Sequence, residues 1–168
     1  MMPVVLSVIG RKGSGKSEVL ETLIALLKEK GFRVGVIKHL AKDDMEIDDP
    51  EKDTFRYRMR GAETVMLAGN RRLAVFSNLS EEIPLEKLLN QFEGFDLVFL
   101  EGYFFDSIPK IEIYKKDLGE PLSRGMENVF AVCSDERSGV NAPHFPIHQL
   151  FSLVSLIEEK FLCLKSFR

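Results

Sequence analysis

The stretch Gly10-Arg11-Lys12-Gly13-Ser14-Gly15-Lys16-Ser17 carries most of the information about the fold, because it matches the pattern GxxxxGK[ST] of a phosphate-binding loop. The apolar run from Val4 to Ile9 before it predicts a buried strand that stops at a glycine loop. Apolar residues at helical spacing after it predict an amphipathic helix that ends at Gly31. Such a loop binds phosphate in this context of strand, loop and helix. The alternative is a glycine-rich turn that carries a lysine by chance.

Each part of the loop has a chemical reason to be present. Gly13 and Gly15 permit backbone conformations that turn successive N–H groups toward a phosphate, and the start of the helix adds its positive end. Lys16 is expected to reach the β- and γ-phosphates, and the Ser17 hydroxyl is expected to ligate Mg²⁺. The predicted phosphate site consists of Gly10, Gly13, Ser14, Gly15, Lys16 and Ser17.

The chain continues as an alternation of strands and helices. Residues 33–39 predict a second strand, which completes a βαβ unit and implies a parallel pair. Further strands are predicted at 64–67, 73–76, 96–100, 110–114 and 129–133, and helices at 54–60, 84–92 and 149–162. In the strand at 110–114, Ile111 and Ile113 alternate with Glu112, which predicts a half-exposed strand. We therefore expect an α/β fold of the P-loop NTPase type, with three layers and a mostly parallel, mixed sheet flanked by helices, and a single domain over residues 1–168.

Composition excludes several classes of protein. The net charge is −3, without the basic excess of a nucleic-acid-binding protein. No apolar run approaches the roughly 18 residues that a membrane-spanning helix needs, and the start lacks the basic segment of a signal peptide. Cys133 and Cys163 lie far apart in apolar segments, as expected for reduced thiols. These features predict a cytoplasmic protein that binds neither nucleic acid nor membrane.

Two further segments predict contacts to a nucleotide. Glu101 follows a buried strand directly, where a P-loop protein places the carboxylate that holds its metal; the alternative is a solvated turn residue. Ser134 and Asp135 follow the strand at 129–133, where a carboxylate can accept hydrogen bonds from a purine edge, although a capping turn is an equal alternative. The pattern Asn-Lys-x-Asp, which reads guanine in many GTP-binding proteins, is absent from the sequence.

An acidic segment follows the second strand. Residues 43–53 contain seven acidic residues and one lysine, a net charge of −6, so the total of −3 leaves +3 for the other 157 residues. We expect this segment to contribute Mg²⁺ ligands or to respond to nucleotide, with a solvated mobile loop as the alternative. Asp44 and Asp48 are its candidate metal ligands, because the apolar Met45 and Ile47 beside them can anchor the segment.

These segments together resemble the MobB family of small P-loop proteins, which act in maturation of the molybdenum cofactor. The resemblance runs from Val4 to about Asp135. Besides the P-loop, it rests on Ile37-Lys38-His39, on Asp44 to Asp48 with Lys52-Asp53-Thr54 and Gly61-Ala62, and on Leu100 to Tyr103 with Pro109 to Ile113. The chain departs from the family pattern at Leu40-Ala41-Lys42, which replaces further histidines, and at Glu51, which replaces a glycine.

The resemblance implies a homodimer that binds GTP with Mg²⁺ and hydrolyses it slowly. It also implies partners: the guanylyltransferase that joins GMP to molybdopterin, and proteins that carry molybdopterin.

Two other functions compete with this one. The first is a small-molecule kinase or an ATP-dependent ligase of the dethiobiotin-synthetase kind, in which Arg56, Arg58 and Arg60 would clamp a substrate. The second is a binding module that uses residues 103–127, where three consecutive aromatic residues begin the segment.

Overall fold

The computed structural model describes residues 2–40, 48–105 and 107–162. These residues form two compact units. The core unit contains the chain up to His39 and again from Leu88, and the inserted unit is Leu40–Lys87. The expectation that residues 1–168 act as one domain remains a prediction.

The core unit is built on a six-stranded sheet in the order β2-β5-β1-β6-β7-β8. Its strands are β1 (Val4–Ile9), β2 (Val34–Lys38), β5 (Leu97–Glu101), β6 (Lys110–Ile113), β7 (Val129–Cys133) and β8 (His144–Phe145). Every neighbouring pair in this sheet is parallel. The carboxyl ends of the strands therefore meet at one edge, where parallel α/β sheets bind their ligands.

Strands β1 and β2 run parallel as the βαβ pattern predicts, but they are not neighbours. Strand β5 lies between them and pairs with both. All five residues of β5 are buried, so this apolar strand takes an interior position although it comes later in the chain. The adjacency of strands depends on such packing and not on their separation in sequence.

Two helices cover one face of the sheet. Helix α1 (Lys16–Glu29) buries Val19, Leu20, Leu23 and Leu27, and helix α4 (Leu150–Ile157) buries four apolar residues in the same core. The strands contribute Leu6 and Val8 of β1, which are fully buried. Burial of one such aliphatic side chain contributes roughly 1.5–3 kcal/mol, so this cluster fixes the position of α1 and of the loop before it. A π-helical turn (Glu158–Leu162) follows α4, where the sequence predicts one helix to 162.

Strand β6 differs from its predicted half-exposed state, because all four of its residues are buried. The Glu112 carboxylate accepts hydrogen bonds from the backbone N–H of Leu122 (2.7 Å) and of Ser123 (3.0 Å), and from the Ser123 hydroxyl. The Lys110 ammonium donates to the Ile108 carbonyl at 3.0 Å. Buried charges are tolerated when they are hydrogen-bonded in this way, and alternation of residue types does not reveal such partners.

The inserted unit contains a helix and an antiparallel hairpin. These elements are α2 (Asp53–Met59), β3 (Thr64–Ala68) and β4 (Leu73–Ser77). The hairpin forms a separate two-stranded sheet, as the sequence predicts for the segments around 64–67 and 73–76. The short helix α3 (Leu85–Leu89) and a 3₁₀ turn (Asn90–Phe92) follow, in the region predicted as one helix over 84–92.

The predicted fold class is confirmed: the structure is α/β, and its main sheet is parallel and flanked by helices. None of the helices in the described residues is long and apolar enough to span a membrane.

Candidate nucleotide-binding site

A cleft of about 770 Å³ opens in the core unit at the carboxyl ends of the parallel strands. A cleft of this size accommodates a small ligand such as a nucleotide. Its lining comes from four segments: the P-loop and the start of α1 (Lys12 to Glu18), the end of β5 (Glu101), the segment after β6 (Tyr114, Lys115, Asp117) and the segment after β7 (Ser134 to Glu136), with Ile147 beside them. The structure thus brings most of the predicted phosphate site together with Glu101, Ser134 and Asp135.

The P-loop backbone has the conformation that its glycines permit. Gly13 and Gly15 have φ angles of 82° and 91°, in the left-handed region that other residues rarely adopt. Helix α1 begins directly after Gly15, and no side chain of the described residues forms a capping hydrogen bond with its first N–H groups. These N–H groups at the positive end of the helix are available to an anion such as a phosphate.

The first glycine of the loop is required by close packing. A Cβ atom at Gly10 would lie 2.6 Å from the Ile113 carbonyl oxygen and 2.7 Å from Ser14 Oγ. Ser14 itself is 4% exposed, and its hydroxyl has no hydrogen-bond partner in the described residues. Gly10 and Ser14 therefore shape the loop against the end of β6.

The Lys16 side chain folds back over its own loop. Its ammonium donates hydrogen bonds to the carbonyl oxygens of Gly10 (2.8 Å) and Arg11 (2.9 Å). Partial burial lowers the pKa of Lys16, the negative charge of Glu101 opposes this shift, and the positive charge of Lys38 adds to it. An anion in the cleft would satisfy the Lys16 charge better than two neutral carbonyl groups, because hydrogen bonds between ions are stronger.

The Glu101 carboxylate occupies the position predicted for the metal ligand. It is 9% exposed, and its strand pairs with β1, which leads into the P-loop. Its Oε1 atom forms an ion pair with Lys38 Nζ at 3.3 Å. A buried carboxylate beside a phosphate-binding loop fits a cation that also touches phosphate, because Mg²⁺ typically takes one or two carboxylates together with substrate oxygens. Its burial is unlike that of a solvated turn residue, and its role as a metal ligand stays a prediction.

Arg11 holds the P-loop against the segment after β6. Its guanidinium donates two hydrogen bonds, at 3.2 and 3.1 Å, to the Glu120 carbonyl oxygen. The same segment is anchored by the buried Glu112 carboxylate through Leu122 and Ser123. Arg11 thus serves to position the loop in this structure.

The two acidic candidates for the metal have different outcomes. Asp44 lies outside the described residues. Asp48 belongs to the inserted unit and is 8% exposed. Its Oδ1 atom accepts hydrogen bonds from Thr54 Oγ1 and from the Asp49 N–H, both at 2.9 Å, and its Oδ2 atom lies 3.4 Å from Arg58 Nε. These contacts account for the burial of Asp48 through the folding of its own unit.

Ser134 and Asp135 lie in the cleft wall, and both side chains have protein partners. The Ser134 hydroxyl accepts a hydrogen bond from the Glu136 N–H at 3.0 Å. Asp135 Oδ1 accepts one from the Ile147 N–H at 3.0 Å and lies 3.6 Å from His148 Nδ1. These contacts form a capping turn, and base recognition by Ser134 and Asp135 stays a prediction.

Lys115 and Asp117 line the same wall, and neither is among the site residues predicted from the sequence. They lie in the polar segment after β6 that the sequence predicts as a loop. The detectable signal was the spacing Lys-x-Asp directly after a buried strand, with Tyr114 in the position of the asparagine of Asn-Lys-x-Asp.

Comparison with known proteins decides the family. The family model MobB, molybdopterin guanine dinucleotide synthesis protein B, matches residues 5–135. The chain belongs to the MobB family.

MobB relatives from two bacteria match nearly the whole chain. A molybdopterin-guanine dinucleotide biosynthesis adapter protein of Haemophilus influenzae is 32% identical over 91% of this chain and 86% of its own length. The protein of the same description from Escherichia coli is 29% identical over 88% of this chain and 87% of its own length. Both relatives are described as adapter proteins.

Solved MobB structures share the fold. A crystal structure of molybdopterin-guanine biosynthesis protein B aligns with a TM-score of 0.72 at 25% identity and covers 93% of this chain and 99% of that one. A MobB homologue from Bacillus stearothermophilus aligns with a TM-score of 0.70 at 21% identity, covering 94% of this chain and 97% of that one.

Proposed function

We propose that this protein binds GTP with Mg²⁺ in the core-unit cleft and acts as an adapter in the attachment of a guanine nucleotide to molybdopterin. The observation that carries the proposal is the convergence of the P-loop and Glu101 on one cleft in a chain of the MobB family. The adapter role comes from the description of the relatives, and the nucleotide role comes from the chemistry of the cleft.

The phosphates are held by the P-loop. The N–H groups at the start of α1 point to the phosphate oxygens, and Lys16 leaves the Gly10 and Arg11 carbonyl groups to bind the β- and γ-phosphates. This exchange replaces two neutral acceptors by charged ones. It favours the protonated form of Lys16, whose pKa is lowered by partial burial.

Ser17 and Glu101 hold the metal. The Ser17 hydroxyl and the Glu101 carboxylate would ligate a Mg²⁺ ion, which would neutralise phosphate charge there. With Glu101 engaged in this way, its ion pair with Lys38 would weaken, and Lys38 would be available to the γ-phosphate. The described residues contain no cluster of three or more His, Cys, Asp or Glu side chains that would hold a cation alone, which fits a metal that arrives with the nucleotide.

Hydrolysis of GTP is slow in this proposal. Among the described residues that line the cleft, none is a glutamine or arginine of the kind that positions water or stabilises the transition state in fast GTPases. The protein thus delivers or holds nucleotide for a partner enzyme. The partners are the guanylyltransferase that joins GMP to molybdopterin and proteins that carry molybdopterin, in the cytoplasm.

The active form is a homodimer that pairs through the hairpin of the inserted unit. Met66, Leu73 and Val75 point to the same face of the hairpin by its register, and their side chains are 59%, 65% and 49% exposed. Neighbouring apolar side chains this exposed are typical of an interaction surface.

Reconstitution of cofactor synthesis tests this function. Purified guanylyltransferase is supplied with molybdopterin, GTP and Mg²⁺, with or without this protein, and formation of molybdopterin guanine dinucleotide is measured. We expect the wild-type protein to increase the rate or yield and the Lys16→Ala variant not to do so. Equal product formation with and without the wild-type protein would refute the adapter role.

A further inference from the structure

One wall of the cleft takes no part in the proposed contacts to phosphate and metal. In the sheet order, β5 with Glu101 lies on one side of β1, and β6 and β7 lie on the other. The segments after β6 and β7 supply Lys115, Asp117 and the stretch from Ser134 to Glu136 to the same 770 Å³ cleft. If the phosphates and metal lie between the P-loop and Glu101, the remaining space toward β6 and β7 is where the nucleoside must lie.

Three carboxylates lie along this wall, and two of them already have partners. Asp135 accepts a hydrogen bond from the Ile147 N–H at 3.0 Å. Glu136 Oε2 accepts one from the Lys116 N–H at 2.8 Å. Both contacts are to the backbone and join neighbouring loops, so these two side chains organise the wall itself.

Asp117 differs from the other two. Its carboxylate forms no hydrogen bond or ion pair with any of the described residues, although it lines the cleft. The turn that carries it is well held: Lys116–Leu118 form a 3₁₀ turn, and the Gly119 N–H donates to the Lys116 carbonyl oxygen at 3.0 Å. The contact from Glu136 to the Lys116 backbone holds the same turn. Asp117 is thus an exposed acceptor that has no partner among the described residues, on a turn that is held in place.

A carboxylate distinguishes the two purines by their hydrogen-bonding edges. Guanine presents two adjacent donors, the N1–H and the 2-amino group, which match the two oxygens of a carboxylate. Adenine presents an acceptor at N1, which a carboxylate repels. Hydrogen bonds to a charged acceptor are stronger than those between neutral groups, and a pocket whose acceptor is matched to donors of the ligand rejects a ligand that lacks these donors.

We propose that Asp117 binds the guanine edge and makes the cleft selective for GTP over ATP. This inference rests on the proposed nucleotide function and assigns its base-recognising residue. It transfers to Asp117 the role that the sequence suggested for Asp135.

An exchange of base specificity tests the assignment. In Asp117→Asn, the side-chain oxygen still accepts a hydrogen bond from the guanine N1–H. The side-chain NH₂ group, however, lies opposite the 2-amino group of guanine, and two donors cannot form a hydrogen bond with each other. Xanthine has a carbonyl oxygen at that position and accepts from the amide. We therefore expect Asp117→Asn to lose GTP affinity by about 30-fold or more and to gain XTP affinity by a similar factor.

The measurement is isothermal titration of the full chain with GTP, XTP and ATP in Mg²⁺. Asp96→Asn is the matched control, because it removes the same charge at the amino end of β5, where the Asp96 carboxylate accepts from the Arg33 N–H. It should keep the wild-type preference for GTP. Asp135→Asn should not gain XTP binding, and a gain there would overturn the assignment to Asp117.

The outcomes separate this inference from the function on which it rests. If the wild-type protein binds GTP and Asp117→Asn binds GTP equally well without gaining XTP, the base assignment is wrong and the nucleotide function stands. Tighter binding of ATP than GTP by the wild-type protein would also overturn the assignment. If the wild-type protein binds no nucleotide, the proposed function fails and the inference fails with it.

Discussion

The buried Glu112 carboxylate offers the sharpest test of how the cleft is held together. It is 1% exposed and accepts three hydrogen bonds, from the N–H groups of Leu122 and Ser123 and from the Ser123 hydroxyl. In Glu112→Gln the side chain keeps its shape but has one acceptor oxygen, and its amide group faces a donor. With about two charged hydrogen bonds lost at roughly 1.5–3 kcal/mol each, we expect a loss of about 3–6 kcal/mol of unfolding free energy.

Denaturation by urea and by heat measures this loss. At about 2–4 °C per kcal/mol for a chain of this size, the melting temperature should fall by roughly 10 °C. Glu120→Gln is the control, because Glu120 lies in the same segment but its side chain is 69% exposed in an ion pair with Arg124. Exposed pairs contribute about 0–1 kcal/mol, so this variant should melt close to wild type. Equal stability of the two variants would refute the assigned role of Glu112.

Three further predictions concern the thiol, the hairpin and the metal. Burial raises the pKa of Cys133 from 9.0 to about 12, so in a Cys163→Ser background the native thiol should resist a thiol reagent at pH 8 and react only on unfolding. The raised pKa also means that the Cys133 thiol stabilises the fold below pH 9 and ceases to do so as the pH rises toward 12. Rapid labelling of the native protein would contradict the burial of Cys133. Leu73→Asp should halve the solution mass measured by light scattering. Phe151→Asp is the control, because it changes a core-unit residue that is 61% exposed, and it should leave the mass unchanged. A dimer that survives Leu73→Asp would exclude the hairpin interface. Ser17→Ala should remove most of the gain in GTP affinity that Mg²⁺ provides. Ser17→Thr should retain this gain, because threonine supplies the same hydroxyl ligand. If Mg²⁺ increases the GTP affinity of Ser17→Ala as much as that of the wild-type protein, Ser17 is excluded from the metal site.

The fold was predictable where the signals are local. The spacing of apolar residues and the positions of glycines predict three features: the P-loop with its strand and helix, the hairpin, and the buried strand that leads to Glu101. The structure contains each of them. The placement of β5 between β1 and β2 was not predictable, because it depends on packing between segments that are distant in sequence: Val34 and Val4 both pair with Leu97.

The site was predictable on its phosphate side and less so elsewhere. Glu101 could be found because it ends an apolar run directly. The burial of Glu112 depends on hydrogen-bond donors from residues 122 and 123. The Asp135 carboxylate is already hydrogen-bonded because the Ile147 N–H donates to it. A single sequence does not show which carboxylates have partners, so the lack of a partner for Asp117 among the described residues could be recognised only after the loops were placed.

Titration of GTP into the wild-type protein and the Lys16→Ala variant, with Mg²⁺ present, tests the central claim most directly. Lys28→Ala, which changes a lysine in the last turn of the same helix, serves as the control. We expect the wild-type protein and Lys28→Ala to bind GTP saturably and at least about tenfold more tightly than ATP. We expect Lys16→Ala to lose about 10- to 100-fold in GTP affinity, because that variant lacks the charged donor to the phosphates. Unchanged GTP affinity in Lys16→Ala, or a tenfold preference of the wild-type protein for ATP, would contradict the account.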